Sequence, residues 1–390
     1  MVRKYPIGLQ SFQAIREGGF LYIDKTEMIH RLVTSGKYYF LSRPRRFGKS
    51  LLVDTVEELF NGSRELFEGL WIADQWDWSK TNPVIHLSFA DIGVRTLGLE
   101  AALFRGLAEN ADRLGVSLTN TSYDQQFKEL IEKVAPQGQV VILIDEYDKP
   151  IIDFLNDPAT VDANRAMMKS FYSVLKGQDR HIRFLLLTGV SRFSKVSLFS
   201  DLNHLEDITL GRQFSSLVGI SQIELEHAFA PEIEEMIVED PNIVEKIRQW
   251  YNGYTWGGTE TLYNPFSLLN FMKSREFQNF WFQTGTPAFF YDMIQRNPAL
   301  EFPNGEVESG PEGLIDLFNQ QSEYGGPESI VPTTLLFQTG YLTIKQYNPE
   351  AGFYVLDFPN KEVRQSMQVA IGLNFSSKKR AVEAYLMKEI

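Results

Sequence analysis

Apolar positions follow two different patterns in the first 210 residues. Short apolar runs, typical of β-strands, occur at 38–41, 84–89, 140–144 and 182–187. Apolar residues recur every three or four positions between them, which predicts amphipathic helices at 51–60, 99–114, 122–134 and 160–176. The run at 140–144 is uninterrupted, as in strands buried on both faces of a parallel sheet. The alternation therefore predicts an α/β fold in which helices flank a parallel sheet.

The pattern changes near Gly211, where short helices replace the buried strand runs. Ser221 and Glu224 form a capping-box pattern, and Asn264-Pro265 places a cap residue before a proline at the first helical position. Residues 298–311 are rich in Pro, Gly and Glu, which predicts a surface loop. Short strands, including a winged-helix-like hairpin, are predicted at 335–337, 341–344 and 353–356. We therefore expect a core at 1–210, a helical lid-like domain at 211–300 and a small α+β region at 301–390.

Composition and charge narrow the class of protein. The chain has 390 residues, 38 Lys and Arg against 50 Asp and Glu, and no cysteine. A net charge of −12 does not favour binding to nucleic acid or to an anionic membrane. The absence of cysteine excludes disulfides and thiolate metal sites. No run of 18 apolar residues and no signal-peptide pattern is evident, so we expect no membrane association and a cytoplasmic location.

A candidate phosphate-binding loop lies between the first strand and its helix. Residues 43–50 read R-P-R-R-F-G-K-S, which matches the P-loop pattern G-x-x-x-x-G-K-[ST] except that Arg43 replaces the first glycine. Lys49, expected in a surface loop, would neutralise phosphate charge, and the Ser50 hydroxyl would ligate Mg²⁺. The predicted nucleotide-binding residues are Arg45, Arg46, Phe47, Gly48, Lys49, Ser50 and Leu51, with Arg43 adding positive charge. Alone, the segment also fits a basic turn that opens a helix.

A second element strengthens the nucleotide hypothesis. The apolar run at 140–144 ends in Asp145 and Glu146, the form of a Walker B strand. Asp145 would hold Mg²⁺ with Ser50, while Glu146 would act on the attacking water as a catalytic residue beside Lys49. Strand alternation would send the two carboxylates to different sides. No Asn-Lys-x-Asp motif for guanine is present, so the predicted ligands are ATP and Mg²⁺.

Polar residues also follow the strand at 182–187. In ATPases with a strand inserted between the two Walker strands, a polar side chain at this point touches the γ-phosphate or the water. Thr188 and Ser191 are both candidates. Arg192 is a candidate catalytic γ-phosphate sensor, although a salt bridge explains it equally well.

These segments together resemble the predicted AAA-ATPase-like family, whose members often carry a C-terminal PD-(D/E)XK nuclease domain. The resemblance rests on ordered motifs at 22–26, 43–50, 143–148, 188–192, 251–254, 284–287 and 358–363. It implies ATP binding, an ATPase core and a helical lid, and it suggests that Asp24, Lys25 and Thr26 lie near the nucleotide. Locally, the same tripeptide fits a turn into a helix that Thr26 caps.

The chain departs from the two-domain pattern of that family after Val363. No strand-end acid followed by an E-x-K or D-x-K hairpin is found there, so no nuclease activity is assigned. The leading hypothesis is an Mg²⁺-dependent ATPase acting as a switch or motor. The alternatives are a nucleotide-gated interaction module with negligible turnover, or the ATPase part of a nucleic-acid-processing protein.

Aromatic residues are frequent in the second half of the chain. They are Trp250, Tyr251, Tyr254, Trp256, Trp281, Phe282, Phe289, Phe290 and Tyr291. We interpret them as core packing of a helical domain rather than as a stacking surface for single strands. A protein partner, or self-association, through this half is the remaining hypothesis for them.

Overall fold

A five-stranded parallel sheet forms the centre of the protein. The structure is a computed structural model that describes residues 3–192, 202, 204–257, 260–281, 306–315 and 331–375. The strands are β1 (Tyr38–Ser42), β2 (Val84–Ser88), β3 (Val140–Asp145), β4 (Ile182–Gly189) and β5 (Glu206–Asp207). Their order is β2-β3-β4-β1-β5, and every neighbouring pair is parallel. The prediction of an α/β fold with a parallel sheet is therefore confirmed.

Helices surround this sheet. They are α1 (Phe12–Glu17), α2 (Thr26–Ser35), α3 (Lys49–Asn61), α4 (Val94–Leu97), α5 (Leu99–Arg113), α6 (Tyr123–Val134), α7 (Lys149–Ile152) and α8 (Pro158–Gly177). Short 3₁₀ turns lie at Arg64–Phe67, Trp71–Asp74, Ala135–Gln137, Asp179–His181 and Arg212–Phe214. Every residue of β1 and β3 is buried, as the uninterrupted apolar run of β3 predicts. The carboxyl ends of these buried strands meet at one edge, where parallel α/β sheets bind ligands.

The region after Gly211 has a hydrophobic cluster of its own. Its helices are α9 (Gln222–Ala228), α10 (Ala230–Glu239), α11 (Ile243–Tyr251) and α12 (Pro265–Ser274). Both predicted caps are confirmed: Ser221 and Glu224 form a reciprocal capping box, and the Asn264 side chain accepts amides of the first turn of α12. Apolar faces of these helices meet in a cluster that includes Leu225, Phe229, Ile247, Tyr251 and Leu268.

A small antiparallel sheet and helices follow in the last third. The elements are β6 (Val307–Ser309), α13 (Glu312–Ile315), α14 (Pro332–Thr339), β7 (Thr343–Asn348), β8 (Phe353–Asp357) and α15 (Lys361–Phe375). The strand order is β6-β8-β7, and β7 with β8 forms the predicted hairpin. Apolar residues of α14 and α15, including Leu335 and Met367, join the same cluster as the core of the large sheet.

Two local predictions in this part were wrong. Residues 335–337 lie in helix α14 rather than in a strand, because Pro332 begins a helical turn and Gly340, with φ 91°, ends it. A three-residue apolar run does not distinguish the two states. Within the predicted loop at 298–311, Val307–Ser309 forms an edge strand that pairs with β8, and 298–305 lies outside the described residues.

The aromatic residues of the second half that the structure describes are mostly inside the protein. Tyr251, Tyr254, Trp256 and Trp281 are each 3% exposed or less, which agrees with core packing. Trp250 is half-buried, and the remaining four, at 282 and 289–291, lie outside the described residues. Within the described ranges, each helix is too short or too polar to cross a membrane.

Candidate nucleotide-binding site

The carboxyl end of β3 meets the start of α3 through a serine and an aspartate. The Ser50 hydroxyl donates a hydrogen bond to Asp145 Oδ2 at 2.5 Å. The other oxygen, Oδ1, accepts from the Glu146 amide at 3.0 Å and from the Thr188 hydroxyl. Asp145 is buried, at 4% exposure. The structure thus brings together three predicted site residues, Ser50, Asp145 and Thr188, from two strand ends and a helix.

Lys49 lies inside the protein, so the expectation of a surface position was wrong. Its ammonium donates to the carbonyl oxygens of Arg43 at 2.9 Å and Pro44 at 3.0 Å. Burial lowers the pKa of Lys49, and the carboxylates of Asp145, Glu146 and Asp148 oppose that effect. The lysine is buried because the loop folds over the first turn of α3. Its charge therefore faces the acids of β3 and the inner side of the loop.

The loop itself has the backbone of an anion-binding turn. Arg46 and Gly48 both take left-handed conformations, with φ of 65° and 94°, and they turn the chain into α3. Around a Cβ placed on Gly48, no atom of the described structure beyond the adjoining backbone and chain neighbours lies within 4 Å. This leaves room for a ligand at the start of a 13-residue helix, where free amides and the helix dipole favour negative charge.

Arg43 occupies the position of the first P-loop glycine but does not present its charge to the loop surface. Its guanidinium donates to the carbonyls of Ser42 and Thr209, both at 2.8 Å, and lies over the Trp256 ring at 4.3 Å from the centroid. Burial lowers the pKa of Arg43 to about 9. The positive charge that Arg43 adds to the loop therefore lies inside the protein, where the side chain joins the loop to the segments around Thr209 and Trp256.

The remaining loop residues point in different directions. Arg46 is exposed and lies over the Phe266 ring at 5.0 Å. Phe47 is fully buried and packs edge-on against Tyr254 at 4.9 Å. Arg45 lines a polar cleft together with Glu146. Of the three arginines, Arg45 is thus the one that faces the acids at the strand ends.

Glu146 diverges from Asp145 through its backbone. Its φ of 52° is left-handed, a conformation that non-glycine residues adopt rarely and mostly at functional positions. Its carboxylate lies 3.6 Å from the Lys149 ammonium, which also lies 3.4 Å from Asp153. The two acids therefore have separate surroundings, as predicted, but the left-handed residue rather than strand alternation explains this.

Asp148 lies at the candidate site, although the sequence motifs did not single it out. Its Oδ2 accepts the amides of Val190 at 3.1 Å and Ser191 at 2.6 Å, which joins the turn after β3 to the end of β4. Burial raises the pKa of Asp148 to about 6, although the Ser191 amide lowers it. A sequence signal existed, since Asp148 is the third acid in the run Asp145–Asp148.

The residues after β4 are held by neighbours. Ser191 is 1% exposed, and its hydroxyl makes no hydrogen bond within the described structure. Arg192 is paired with Asp207 of β5, with Nε to Oδ2 at 2.5 Å. Of the two roles predicted for Arg192, the structure therefore shows the salt bridge. Asp207 lies far from the motifs in sequence, and no local pattern marked it.

An apolar cleft opens on the other side of the loop. Phe47, Gly48 and Leu51 line it, together with Leu217–Ile220 and Ile23. The cavity itself holds about 100 Å³, and the cleft around it opens to solvent. Leu51, predicted as a nucleotide contact, is half-buried in its wall.

The segment 24–26 contributes one residue to this cleft and two residues to a local turn. Lys25 lines the cleft, and its ammonium donates to Glu224 at 2.6 Å and to the Ser216 carbonyl at 2.9 Å. Asp24 accepts the Thr26 amide at 2.8 Å, so Asp24, rather than Thr26, supplies the turn's side-chain bond. Asp24 and Thr26 thus form the local turn, whereas Lys25 faces the cleft.

Metal binding by protein side chains alone has little support. In the described ranges, no three His, Asp or Glu side chains gather into a group that could hold an ion. A serine hydroxyl beside one carboxylate is nonetheless a donor set that suits Mg²⁺, which usually completes its shell with water and substrate phosphates. Ser50 and Asp145 therefore fit an ion that arrives with a nucleotide.

Comparison with known proteins agrees with this geometry. A family model described as predicted AAA-ATPase matches residues 6–199. A relative from Azotobacter chroococcum mcd 1, described as an uncharacterized protein in the vnfD 5′ region, is 42% identical over 379 residues. That match covers 96% of this chain and 70% of the relative. No solved structure matches the chain significantly. These matches show that the chain belongs to the predicted AAA-ATPase family.

Proposed function

We propose that this protein binds ATP with Mg²⁺ at the loop 43–50 and hydrolyses it. The phosphates lie against the amides at the start of α3, and Lys49 moves from the loop carbonyls to their negative charge. Ser50 and Asp145 hold Mg²⁺, which offsets charge on the phosphate oxygens. Glu146 orients the attacking water, and Thr188 or Ser191 contacts the γ-phosphate or that water.

One observation carries this proposal more than any other. Ser50 and Asp145 are 95 positions apart in sequence, yet their oxygens lie 2.5 Å apart at the carboxyl edge of the sheet. A serine that follows a buried lysine and faces a strand-end aspartate serves no evident packing purpose. It is the arrangement that nucleotide-bound Mg²⁺ requires in P-loop proteins.

The apolar cleft supplies a place for the base. It starts at Phe47 and Gly48, next to the loop, and its walls are mainly aliphatic. A flat purine ring buries apolar surface there while its phosphates remain at the loop. Lys25 is the charged group on its wall, and its pairing with Glu224 leaves little net charge to attract an anion.

Replacement of Lys49 by alanine tests the phosphate site. A charge-assisted contact contributes about 1.5–3 kcal/mol, so ATP affinity is expected to fall about ten- to a hundredfold. Isothermal titration in the presence of Mg²⁺ measures it, with the exposed Lys128→Ala on α6 as the matched control. Circular dichroism checks the fold of both variants, since Lys49 is buried. Equal affinities in a folded Lys49→Ala and the wild type would refute the site.

A second function has specific support. In this structure Glu146 is paired with Lys149 and Arg192 with Asp207, so each side chain would have to leave its partner to act on a ligand. This arrangement favours a nucleotide-gated interaction module that binds ATP and turns it over negligibly. The two functions share the binding site and differ only in the rate of hydrolysis.

A further inference from the structure

The last third of the chain touches the phosphate loop directly. The Trp281 indole Nε1 donates to the Arg45 carbonyl at 3.1 Å. Gly340, at the end of α14, lies so close to the loop that a Cβ there would come within 2.6 Å of Pro44 Cγ. Two consecutive loop residues, Pro44 and Arg45, are therefore held from outside the large sheet.

The same tryptophan is bonded to helix α15. The Trp281 backbone amide donates to Glu362 Oε1 at 2.6 Å, and its ring packs edge-on against Tyr341 at 5.1 Å. Trp281 and Glu362 are both fully buried, so water does not compete for these bonds. Glu362 lies in the first turn of α15. A single residue thus connects the carbonyl of Arg45 with the beginning of α15.

A second contact joins this region to the end of β4. The side chain of Gln338 accepts the Arg192 amide at 3.0 Å and donates to the Arg192 carbonyl at 3.4 Å. Thr339 lines the polar cleft that also contains Arg45 and Glu146. The region that includes α14 and α15 therefore touches both the loop and the segment on the γ-phosphate side of the site.

We propose that Trp281 couples occupancy of the phosphate loop to the docking of α15 through its bonds to Arg45 and Glu362. The inference rests on the proposed nucleotide site. Ligand binding holds the loop in the conformation in which the Arg45 carbonyl accepts the Trp281 indole. It therefore favours the state in which α15 is docked. By thermodynamic reciprocity, loss of the Trp281 bond weakens nucleotide binding. Trp281 is a positioning residue, since it acts on the ligand only through the loop.

Hydrogen exchange with mass spectrometry tests this coupling in the whole chain. ATP with Mg²⁺ is expected to slow exchange of loop and α3 amides and also of amides 363–368 in α15. Trp281→Phe keeps an aromatic ring against Tyr341 but removes the donor to Arg45. The loop should still be protected in this variant, while the ATP effect on α15 disappears.

A matched control uses another tryptophan at the same helix. Trp250 stacks on Phe277 and lies 4.7 Å from the Lys361 ammonium, so it contacts α15 without a bond to the loop. Trp250→Phe should keep the ATP effect on α15. In titrations, Trp281→Phe should weaken ATP binding about two- to tenfold, the worth of one hydrogen bond, and Trp250→Phe should not.

The outcomes separate the inference from the nucleotide site. If ATP protects the wild-type loop but leaves α15 unchanged, the coupling is refuted and the site stands. The same follows if Trp281→Phe and Trp250→Phe respond alike. If ATP protects neither loop nor helix in the wild type, both proposals fail.

Discussion

At the scale of single residues, Asp145 at the end of β3 and Glu146 directly after it differ in the contacts that their carboxylate oxygens make. Asp145 uses both oxygens, one towards Ser50 and one towards Thr188 and the Glu146 amide. Glu146 contacts a single ammonium, that of Lys149, at 3.6 Å. A fixed carboxylate suits a metal position, whereas a loosely held one can turn towards a water molecule. The contacts therefore support different roles for neighbouring residues of the same chemical type.

Asp145→Asn tests the metal role. The substitution removes the charge and places an amide where one carboxylate oxygen now accepts a bond. ATP affinity in Mg²⁺ is expected to fall about tenfold or more, and the gain in affinity that Mg²⁺ confers should largely vanish. Titrations with and without Mg²⁺ measure this, with the exposed Asp112→Asn on α5 as control. A variant that keeps the wild-type response to Mg²⁺ would show that Asp145 does not serve the ion.

The sequence predicted these residues where the chemistry is local. Lys49 and Ser50 stand in a short pattern next to a helix, and Asp145 ends a recognisable buried strand. The buried position of Lys49 and the stacking of Arg43 on Trp256 depend on segments that approach only after folding. Residue type at one position carries no information on such partners.

At the scale of elements, a helix or strand is easier to predict from the sequence when its pattern of apolar residues is longer. The strand at 140–144 and the helix after Ser50 extend over enough residues for burial to set a clear period, and both are confirmed. The run 335–337 is too short, and the flanking Pro332 and Gly340 decided its helical state. Strand order was open in the sequence, because parallel pairing joins segments that long connections separate.

The start of α15 gives a pH prediction. Burial raises the pKa of Glu362 to about 8, while the Trp281 amide and the Ser267 hydroxyl lower it. Tyr251 and Tyr254, two titratable groups near it, have raised pKa values and stay neutral in this range. Between pH 5 and 8 the folded state therefore keeps a proton that the unfolded chain releases. The free energy of unfolding must then fall as pH rises through this window.

Glu362→Gln isolates that contribution. Glutamine resembles the protonated acid and does not titrate, so its stability should lack this decrease. From pH 5 to pH 8 the wild type should lose up to about 3 kcal/mol relative to the variant. Urea unfolding of both proteins from pH 5 to pH 8 measures the difference between their free energies of unfolding. The contributions of the other titrating groups are the same in both proteins and cancel in this difference. Parallel pH profiles would mean that Glu362 is already ionised in the folded state.

At the scale of the whole molecule, the site is built from distant parts of the chain. Trp281 and Arg45, which are bonded, are separated by 236 positions, and Arg192 and Gln338 by 146. No periodicity or motif spacing encodes such contacts. The sequence therefore predicted a nucleotide site but not the contacts that Trp281 and Gln338 make with it. The resemblance to a family pointed to the motifs at 251–254 and 358–363 without indicating their contacts. In the structure, both segments lie beside the loop or the Trp281 link to it.

The most direct test of the account compares wild type with Glu146→Gln in two assays on the same preparations: ATP affinity and single-turnover hydrolysis. The amide keeps the shape of the side chain, so affinity should stay within about twofold. Hydrolysis should fall about 10²-fold, as expected when a water-positioning group is lost. Hydrolysis by Glu146→Gln at the wild-type rate would contradict the catalytic role of Glu146. A wild type that binds ATP but does not hydrolyse it would contradict the ATPase proposal and leave the nucleotide-gated module as the function.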